Sequence, residues 1–583
     1  MGFNILIMKL SISKTKSATN LYVSKSFREG KKTSSKIVEK LGTYEELEKK
    51  LNGIDPIEWA KAYIKDLNEK EKEDRKDVNI RFSPSTTIEM GESQSFNVGY
   101  LFLQQIYYEL GLNKICKDIT KKYKFDFNLN SILSRLVYSR ILFPASKLST
   151  YEESKKYIEQ PEFELHHIYR SLDILAKESN HIQASLYKNS IKNNNTRQTG
   201  VIYYDCTNYY FEIEEAKGIK QFGVSKEHRP NPIVQMGLFM DADGFPLAFD
   251  INPGNTNEQI TLKPLEKRLN SDFGLSKFVV CTDAGLSSTD NRKYNMIGGR
   301  AFITTQSLKK LKSHLKEWAL SCEGWKIVNQ NDDTTYNLKE LNPDNDYSRT
   351  TFYKDRFINE DGVEQRMIVT YSIKYKEYIH RKRQQQIERA EKLIKTNSIT
   401  LNSKRSTDCK RFIKKTTCTK EGEVCEHELY NIDLNRIVEE QQYDGFYAIC
   451  TNLESDVEGI IKINHQRWEI EESFRIMKSE FKARPVYLQN DERIKAHFLT
   501  CFIALMLLRK LENKLKYKHS SESIIKALAN MNMLKIRGEG YIPTYTRSAI
   551  TDHLHIRAEF RTDNQIIISQ KMKKILSLSK KSK

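Results

Sequence analysis

A series of short β-branched and aromatic stretches between residues 198 and 305 most constrains the fold of this chain. Strands are predicted at Val201–Thr207, Pro232–Met240, Phe245–Phe249, Phe278–Cys281 and Arg300–Thr305, with a helix at Ile260–Leu269. Strands that turn back on themselves, then a helix and further strands, predict an α/β sheet core. Two of these strands run into Asp205 and Asp283. Because ligand sites favour strand ends in α/β sheets, both aspartates are candidate site residues.

The stretch Asn464–Glu480 contains neither Pro nor Gly and predicts one amphipathic helix. At about 100° per residue, one polar stripe of this helix holds Asn464, Arg467, Glu471 and Lys478. Glu469 and Glu472 point away from that stripe, so the geometry selects Glu471. A carboxylate between two cations suits a site for metal and phosphate. A surface helix with ion pairs one turn apart explains the stretch equally well when it is taken alone.

Length and charge favour a multidomain protein with a polyanionic partner. A chain of 583 residues is too long for one compact core. The formal net charge of +19 and the pI near 9.2 favour nucleic acid first and an anionic membrane second. Abundant Lys and Asn weaken this inference, because a Lys-rich proteome is basic everywhere.

Cysteine usage and hydropathy predict a cytoplasmic protein. The nine cysteines are scattered, and an odd number of cysteines indicates reduced thiols in a cytosol. The longest apolar stretch, Phe498–Leu508, falls short of the roughly 18 residues of a membrane span. We therefore expect no membrane partner.

The composition and hydrophobic pattern of the sequence change at several points, and these changes predict six segments. They are a β-hairpin unit with charged helices (1–95), a helical and DNA-binding domain (96–197), the first part of the α/β core (198–307), an inserted and mostly β domain (308–442), the second part of the core (443–515) and a basic C-terminal tail that could dimerise (516–583). An ordinary basic surface explains the first two segments equally well.

Three carboxylates on separate elements of one sheet can hold two Mg²⁺ ions. Here they are Asp205, Asp283 and Glu471. A site with two metals activates an attacking oxygen and stabilises a leaving oxygen during phosphodiester displacement. Arg467 and Lys478 would then contact DNA phosphates. A strand-terminal aspartate taken alone is more often a turn former or a helix cap.

The ordered set of motifs resembles a bacterial insertion-sequence transposase of the DDE class. The matching branch carries its third acidic residue in a Tyr-x2-Arg-x3-Glu-x6-Lys helix, and Arg467, Glu471 and Lys478 have those spacings. Asn464 stands where that branch has Tyr. The acidic motifs resemble 204–207 and 282–285, and segments 253–256 and 484–487 resemble further landmarks. The resemblance covers about residues 198–515.

The resemblance implies a ribonuclease-H-like (retroviral-integrase-like) catalytic core that a β-rich insertion interrupts. It implies Mg²⁺, for which Mn²⁺ can substitute, bound by Asp205, Asp283 and Glu471. Water would nick DNA at the element end, and the freed 3′-hydroxyl would attack a second phosphodiester. The implied partners are double-stranded DNA, as terminal inverted repeats and target, and a second copy of the chain in a homodimer. The protein would be nucleoid-associated when bound to DNA.

Four further residues complete the predicted site. Thr207 and Asn208 are expected to support the first metal ligand through hydrogen bonds. Trp468 is expected to pack against the inserted segment, with stacking on a base as the alternative. Asn464 can donate a hydrogen bond to phosphate, so we expect altered end binding rather than lost chemistry.

Two other functions remain open at this point. A decayed or repurposed DNA-binding protein would fit the departure at Asn464, although all three carboxylates are present. A structure-selective nuclease would use the same core without strand transfer.

Overall fold

The computed structural model describes residues 8–581 except 16–17, 30–31, 52, 75–79, 81, 193–196, 331–333, 342–344, 346, 397–407 and 419–423. The chain divides into two compact units, Met1–Glu92 and Ser93–Lys583. In the described residues, no helix has the length and apolar character needed to cross a membrane.

The first unit is a three-stranded antiparallel sheet with two helices. Its elements are β1 (Met8–Lys14), β2 (Thr19–Glu29), β3 (Lys32–Thr43), α1 (Tyr44–Lys50) and α2 (Pro56–Asp74). The strand order is β1-β2-β3. Leu21, Leu47 and Ala60 form its small buried core. A β-hairpin unit was predicted here, and the sheet has one strand more than a hairpin. A DNA-contacting role for this sheet stays a prediction.

The second unit begins with a short strand and a helical layer. These elements are β4 (Ser95–Asn97), α3 (Tyr100–Glu109), α4 (Leu112–Lys122), α5 (Leu129–Leu142), α6 (Lys147–Ser154), α7 (Leu165–Lys177) and α8 (Ser179–Lys192). Helix α5 is buried along nearly its whole length. It begins where the Asn128 side chain accepts a hydrogen bond from the Ser131 amide.

The next elements form the centre of the sheet. They are β5 (Val201–Tyr210), β6 (Ile233–Asp241), β7 (Pro246–Pro253), α9 (Glu258–Arg268), β8 (Val279–Thr282), α10 (Thr289–Tyr294) and β9 (Ala301–Gln306). Strands β5, β6 and β7 form the antiparallel meander that the sequence predicted. Strand β8 pairs in parallel with β5 and with β9.

The range 308–442, predicted as a separate insertion, contributes in part to the same sheet. Its elements are α11 (Ser313–Leu320), β10 (Lys326–Ile327), β11 (Phe352–Glu360), β12 (Val363–Tyr371), α12 (Ile373–Lys395), β13 (Ile413–Cys418), β14 (Val424–Ile432) and α13 (Leu434–Gln441). Strands β10 to β12 extend the main sheet, while β13 and β14 form a separate ribbon. The predicted boundary at residue 308 therefore does not coincide with an edge of the main sheet.

The remaining elements return to the core and then continue to the C-terminus. They are β15 (Phe446–Thr451), α14 (Val457–His465), α15 (Trp468–Ser479), α16 (Asp491–Lys514), α17 (Ser521–Asn530), β16 (Asn532–Ile536), β17 (Gly540–Pro543), α18 (Ala549–Ala558), β18 (Ile567–Ile568) and α19 (Ser569–Leu578). The nine-stranded sheet has the order β10-β11-β12-β15-β9-β8-β5-β6-β7. Pairing of β12 with β15 joins Thr370 to Tyr447, a separation that local periodicity does not reveal.

Helix α16 lies at the centre of the largest hydrophobic cluster, between the sheet and the helical layer. Its residues from Ala496 to Glu512 are all buried. The apolar face of this helix was a candidate dimer interface, but it is already covered within the chain.

The C-terminal segment predicted as a tail is folded. Strands β16, β17 and β18 form a four-stranded sheet with β4 in the order β18-β17-β16-β4. Met533 of β16 pairs with Phe96 of β4, and both residues are buried. The sequence did not show this because the pairing joins the two ends of the unit.

Substitution of Met533 by Ala tests whether this segment contributes to the core. Met533 has no exposed surface, so we expect a loss of about 2–4 kcal/mol in the free energy of unfolding of this unit. The melting temperature should fall accordingly. Ile556→Ala is the matched control, because Ile556 lies in the same segment and is 64% exposed. Equal melting temperatures for both variants would contradict the buried position.

Candidate active site

Asp205 and Asp283 lie next to each other on neighbouring parallel strands. The pairing of β5 with β8 runs from Val201 opposite Val279 to Tyr203 opposite Cys281. Each aspartate follows the last residue of this β5–β8 pairing on its own strand by two positions. The two side chains therefore share one face of the sheet at one level, since side chains repeat every second residue along a strand.

The position of Asp205 differs from the prediction. Asp283 follows the end of β8, as expected, but Asp205 lies in the middle of β5. Strand β5 continues to Tyr210 because β6 pairs with it along that whole length. Only the pairing with β8 ends before Asp205, so the predicted strand was too short, and the role of Asp205 stays a prediction.

The carboxylate of Asp205 is poorly solvated and close to other charges. The pKa of Asp205 is raised to about 6, chiefly by burial; the nearby Lys226 ammonium works against this rise, and the Asp283 carboxylate contributes to it. The Asp205 side chain also accepts a hydrogen bond of 2.7 Å from the Cys206 amide. Two carboxylates that repel each other at a partly buried position are well suited to a cation.

Backbone amides hold Asp283 in place. Its Oδ1 atom accepts hydrogen bonds from the amides of Gly285, at 2.9 Å, and Leu286, at 3.2 Å. The Thr304 hydroxyl donates to the backbone carbonyl of Asp283 at 3.3 Å. The loop after β8 therefore fixes the direction of this carboxylate.

The helix predicted over Asn464–Glu480 is two helices, because a turn at Gln466 and Arg467 separates α14 from α15. The Tyr203 hydroxyl donates to the Ile463 carbonyl at 3.0 Å. That carbonyl would accept from the Arg467 amide in a continuous helix, but this amide bonds the Asn464 carbonyl at 3.3 Å instead. A contact from a distant strand therefore coincides with the break.

Arg467 and Glu471 remain one turn apart, as the helical spacing predicted. Arg467 Nη2 lies 3.7 Å from Glu471 Oε1, and the Glu471 side chain is 64% exposed. Arg467 is also close enough to Asp205 to lower the pKa of that carboxyl. The other two acids of this helix have different partners, since Glu469 pairs with Arg509 and Glu472 with Arg475.

The two aspartates fit a divalent cation better than the full set of three carboxylates does. Carboxylate oxygens are the ligands that Mg²⁺ prefers. In the described part of the chain, only Asp552, His555 and Asp563 bring three ligand atoms within 4.8 Å of one another. Asp205, Asp283 and Glu471 are therefore more widely spaced, and Glu471 is paired with Arg467.

The cluster around Asp552 is an ion-pair network. Arg547 binds both oxygens of Asp552, at 2.7 and 3.1 Å. Arg561 binds both oxygens of Asp563, at 2.9 and 2.6 Å. Because arginines occupy the carboxylates, this cluster serves the packing of α18.

Asn464 was predicted to lie on the polar stripe of the helix, but its side chain is buried. It is 7% exposed, and its Nδ2 atom donates to the Tyr447 hydroxyl at 3.1 Å. The same hydroxyl lies 2.6 Å from the Thr305 hydroxyl, to which Arg467 Nη1 donates at 3.1 Å. Asn464 therefore belongs to a chain of hydrogen bonds that ends at Arg467. Its role as a phosphate ligand stays a prediction.

Lys478 belongs to a second polar cluster at the other end of α15. Its Nζ atom lies 3.2 Å from Glu227 Oε1 and 5.5 Å from the centre of the Tyr209 ring. Arg484 pairs with the second oxygen of Glu227. Burial lowers the pKa of Lys478, and Glu227 opposes that effect. One carboxylate thus holds two cations close together.

The structure places the supporting residues as follows. Thr207 and Asn208 are buried. Asn208 donates to the Val224 carbonyl at 3.0 Å and accepts from the Lys226 amide at 3.2 Å. Asn208 thus positions the loop that carries Lys226. Trp468 is 57% exposed, and its packing against the inserted segment stays a prediction. Stacking on a base stays a prediction.

Sequence reasoning missed three residues of this region, which are Lys226, Glu227 and Tyr447. Lys226 donates to the Cys206 carbonyl and lies 3.3 Å from Glu258. The first two residues lie in a loop after β5, where no local pattern marks them. Tyr447 does lie in a predicted strand, and its aromatic hydroxyl was the available signal.

Comparison with known proteins supports the motif-based interpretation. The family described as "Transposase DDE domain" matches residues 215–507, half of the chain. This range includes Asp283 and Glu471 and begins after Asp205. The mixed α/β fold with its nine-stranded sheet fits a ribonuclease-H-like transposase.

The chain was also compared with curated proteins and with solved structures. No curated protein matches this chain. A cryo-EM structure of a piggyBac transposase synaptic complex with hairpin DNA has a TM-score of 0.35 and 8% sequence identity to it. That similarity covers 82% of this chain and 84% of the other chain.

Substitution of Asp205 by Asn tests the electrostatic strain of the site. The pKa of about 6 exceeds the ordinary 3.8, so ionised Asp205 destabilises the folded state above pH 6. In EDTA at pH 7.5, we expect Asp205→Asn to be more stable by roughly 1–3 kcal/mol. This advantage should shrink as pH falls from 6 toward 4, because the wild-type carboxyl then gains its proton.

The measurement is the melting temperature of both proteins across this pH range. Glu454→Gln, at an exposed position, controls for the loss of one negative charge. A lower melting temperature for Asp205→Asn at pH 7.5 would contradict the strain.

Substitution of Asn464 by Tyr tests its buried position. A tyrosine side chain is larger than that of asparagine, and the site is only 7% exposed, so the new ring must displace Tyr447. Such overpacking costs about 1–3 kcal/mol. We expect a lower melting temperature and no gain in cleavage of DNA that carries the element ends. A variant with unchanged stability and tighter end binding would show instead that this side chain reaches DNA.

Proposed function

Because this chain belongs to the transposase DDE domain family, we propose that it is the DNA transposase of a bacterial insertion sequence. It cleaves DNA at the ends of its element and transfers the 3′-hydroxyl end into target DNA. The single observation that carries this proposal is the adjacency of Asp205 and Asp283. Each lies two residues beyond the point at which the pairing of β5 with β8 ends. A transposase uses such a carboxylate pair for phosphodiester displacement.

Asp205 and Asp283 would hold the divalent cation, Mg²⁺ or Mn²⁺, and Glu471 would join them on leaving Arg467. When bound, the cation would polarise the scissile phosphate and make the attacking oxygen more acidic. Lys226 holds positive charge beside Asp205, which limits the repulsion between the two aspartates before the cation arrives.

Arg467 and Lys478 supply the phosphate contacts in this proposal. Arg467 is 19% exposed and Lys478 is 15% exposed in their side chains, so each is partly desolvated and fixed by its neighbours. Fixed cations orient a phosphodiester before the reaction and give up little entropy when they bind it. Two copies of the chain would hold the two element ends together.

Three substitutions at the carboxylates test the proposed chemistry. We expect Asp205→Ala, Asp283→Ala and Glu471→Gln each to reduce Mg²⁺-dependent cleavage of DNA carrying the terminal repeats by at least about 100-fold. Glu472→Gln is the matched control, because Glu472 lies on the same helix and pairs with Arg475. Its activity should stay within about threefold of the wild type.

The same assay separates the other two functions. Wild-type protein that binds these DNA ends without cleaving them, even in Mn²⁺, would be a DNA-binding protein. Cleavage without joining to target DNA would indicate a structure-selective nuclease. Full activity of any carboxylate variant would show that the site is wrongly assigned.

A further inference from the structure

A cavity of about 590 Å³ lies beside the C-terminal end of α15. It is lined by parts of α5, α6, α16 and the segment 482–490. Its cationic side chains are those of Arg140, Lys147, Lys482, Arg484 and Arg493. Among the described residues that line it, none is acidic. A concave surface with positive charge only attracts anions.

Lys147 is the most informative residue of this cavity. It is 5% exposed, and its Nζ atom has no hydrogen-bond partner within the described part of the chain. It is also the first residue of α6, where the helix dipole adds positive charge. An ammonium group buried without a partner is costly, which indicates a missing anionic neighbour.

Arg140 is the second uncompensated charge of the cavity. It is 5% exposed, and its guanidinium donates to the carbonyls of Phe481 at 3.2 Å and Ala145 at 3.1 Å. These carbonyls accept hydrogen bonds but carry no net charge. Its Nε atom has no partner among the described atoms. The bonds fix the direction of the guanidinium and leave its charge unbalanced.

The cations nearer the edge of the cavity differ from these two. Arg493 binds both oxygens of Asp173, at 2.9 and 3.1 Å. Arg484 pairs with Glu227. Carboxylates thus balance Arg493 and Arg484, and Lys482 is exposed to solvent, while the two buried charges remain for a ligand.

We propose that this cavity binds a phosphate group of the DNA substrate, with Lys147 and Arg140 as its charged ligands. The cavity is connected to the proposed phosphate contacts, because Glu227 bridges Arg484 of the cavity and Lys478 of α15. One DNA strand can therefore meet both. This proposal rests on the proposed function for its source of phosphate, whereas anion binding itself does not depend on it.

Sulfate is the probe for anion binding, since its charge is constant between pH 6 and 9. We expect sodium sulfate to raise the melting temperature of the full-length wild-type protein above that in sodium chloride of equal ionic strength. Lys147→Met should weaken the apparent sulfate affinity by at least about tenfold. Lys155→Met, at the other end of α6, is the matched control and should bind like the wild type. Absence of a sulfate effect on the wild type would overturn the proposal.

A measurement on the wild type alone guards against misfolding of the variant. Burial lowers the pKa of Lys147 to about 7. The groups that face it are Arg140 on α5 and His497 and Cys501 on α16. Burial lowers the pKa of His497 well below 6.5 and raises that of Cys501. Burial also lowers the pKa of Arg140, but a guanidinium group stays protonated in proteins across this pH range.

Lys147 is thus the group that gains a proton as pH falls from 9 to 6.5. Sulfate affinity should be at least about fivefold higher at pH 6.5 than at pH 9. Equal affinities at both pH values would show that Lys147 is not a ligand.

DNA binding identifies the source of the phosphate. For a duplex of random sequence, the slope of log affinity against log salt should fall by about one in Lys147→Met. Lost sulfate binding with an unchanged slope would overturn DNA as the ligand and leave a free phosphorylated compound. Neither readout needs cleavage, so failure of the proposed function would appear in the cleavage assay alone.

Discussion

The geometry of the proposed site depends on where the parallel pairing of β5 with β8 ends. After Tyr203 and Cys281, β5 keeps only its antiparallel partner β6. The backbone of β5 therefore stays rigid through Asp205, while the chain after β8 is free to turn at Asp283. One aspartate is fixed by a strand and the other by a loop. Their adjacency follows from the register, and neither strand alone would produce it.

The same strand also shapes the helix that carries the third carboxylate. Tyr203, which lies two residues before Asp205 on β5, donates to the Ile463 carbonyl. The break between α14 and α15 therefore lies on the face of the sheet from which the Asp205 side chain projects. Arg467 is the N-cap residue of α15 at this break and interacts electrostatically with Asp205. In a continuous helix, Arg467 and Glu471 would instead follow the axis of α14.

Charge balance separates the parts of the molecule that maintain the fold from those that face a ligand. In buried structural pairs, such as Arg509 with Glu512, each partner balances the charge of the other. Around Asp205 and around Lys147, like charges are brought together at some cost in stability. Such strain is typical of positions where a ligand binds, and it supports both proposed sites for the same physical reason.

The sequence predicted what local pattern determines. The meander β5 to β7, the strand before Asp283 and the stripe of Arg467 and Glu471 all follow from periodicity and turn chemistry. What it missed depends on pairing over long distances. Strand β12 joins β15, β16 joins β4, and Tyr203 reaches Ile463. No window of neighbouring residues contains both partners of any of these contacts.

Asn464 shows how a single departure from a motif changes meaning in three dimensions. On a helical wheel it lies on the stripe, where its difference from Tyr suggests a damaged phosphate site. In the fold it is buried, and a tyrosine hydroxyl does lie next to it, supplied by Tyr447 from β15. That hydroxyl connects through Thr305 to Arg467. The departure is therefore matched by a network that supports the arginine, and it gives no support to a decayed site.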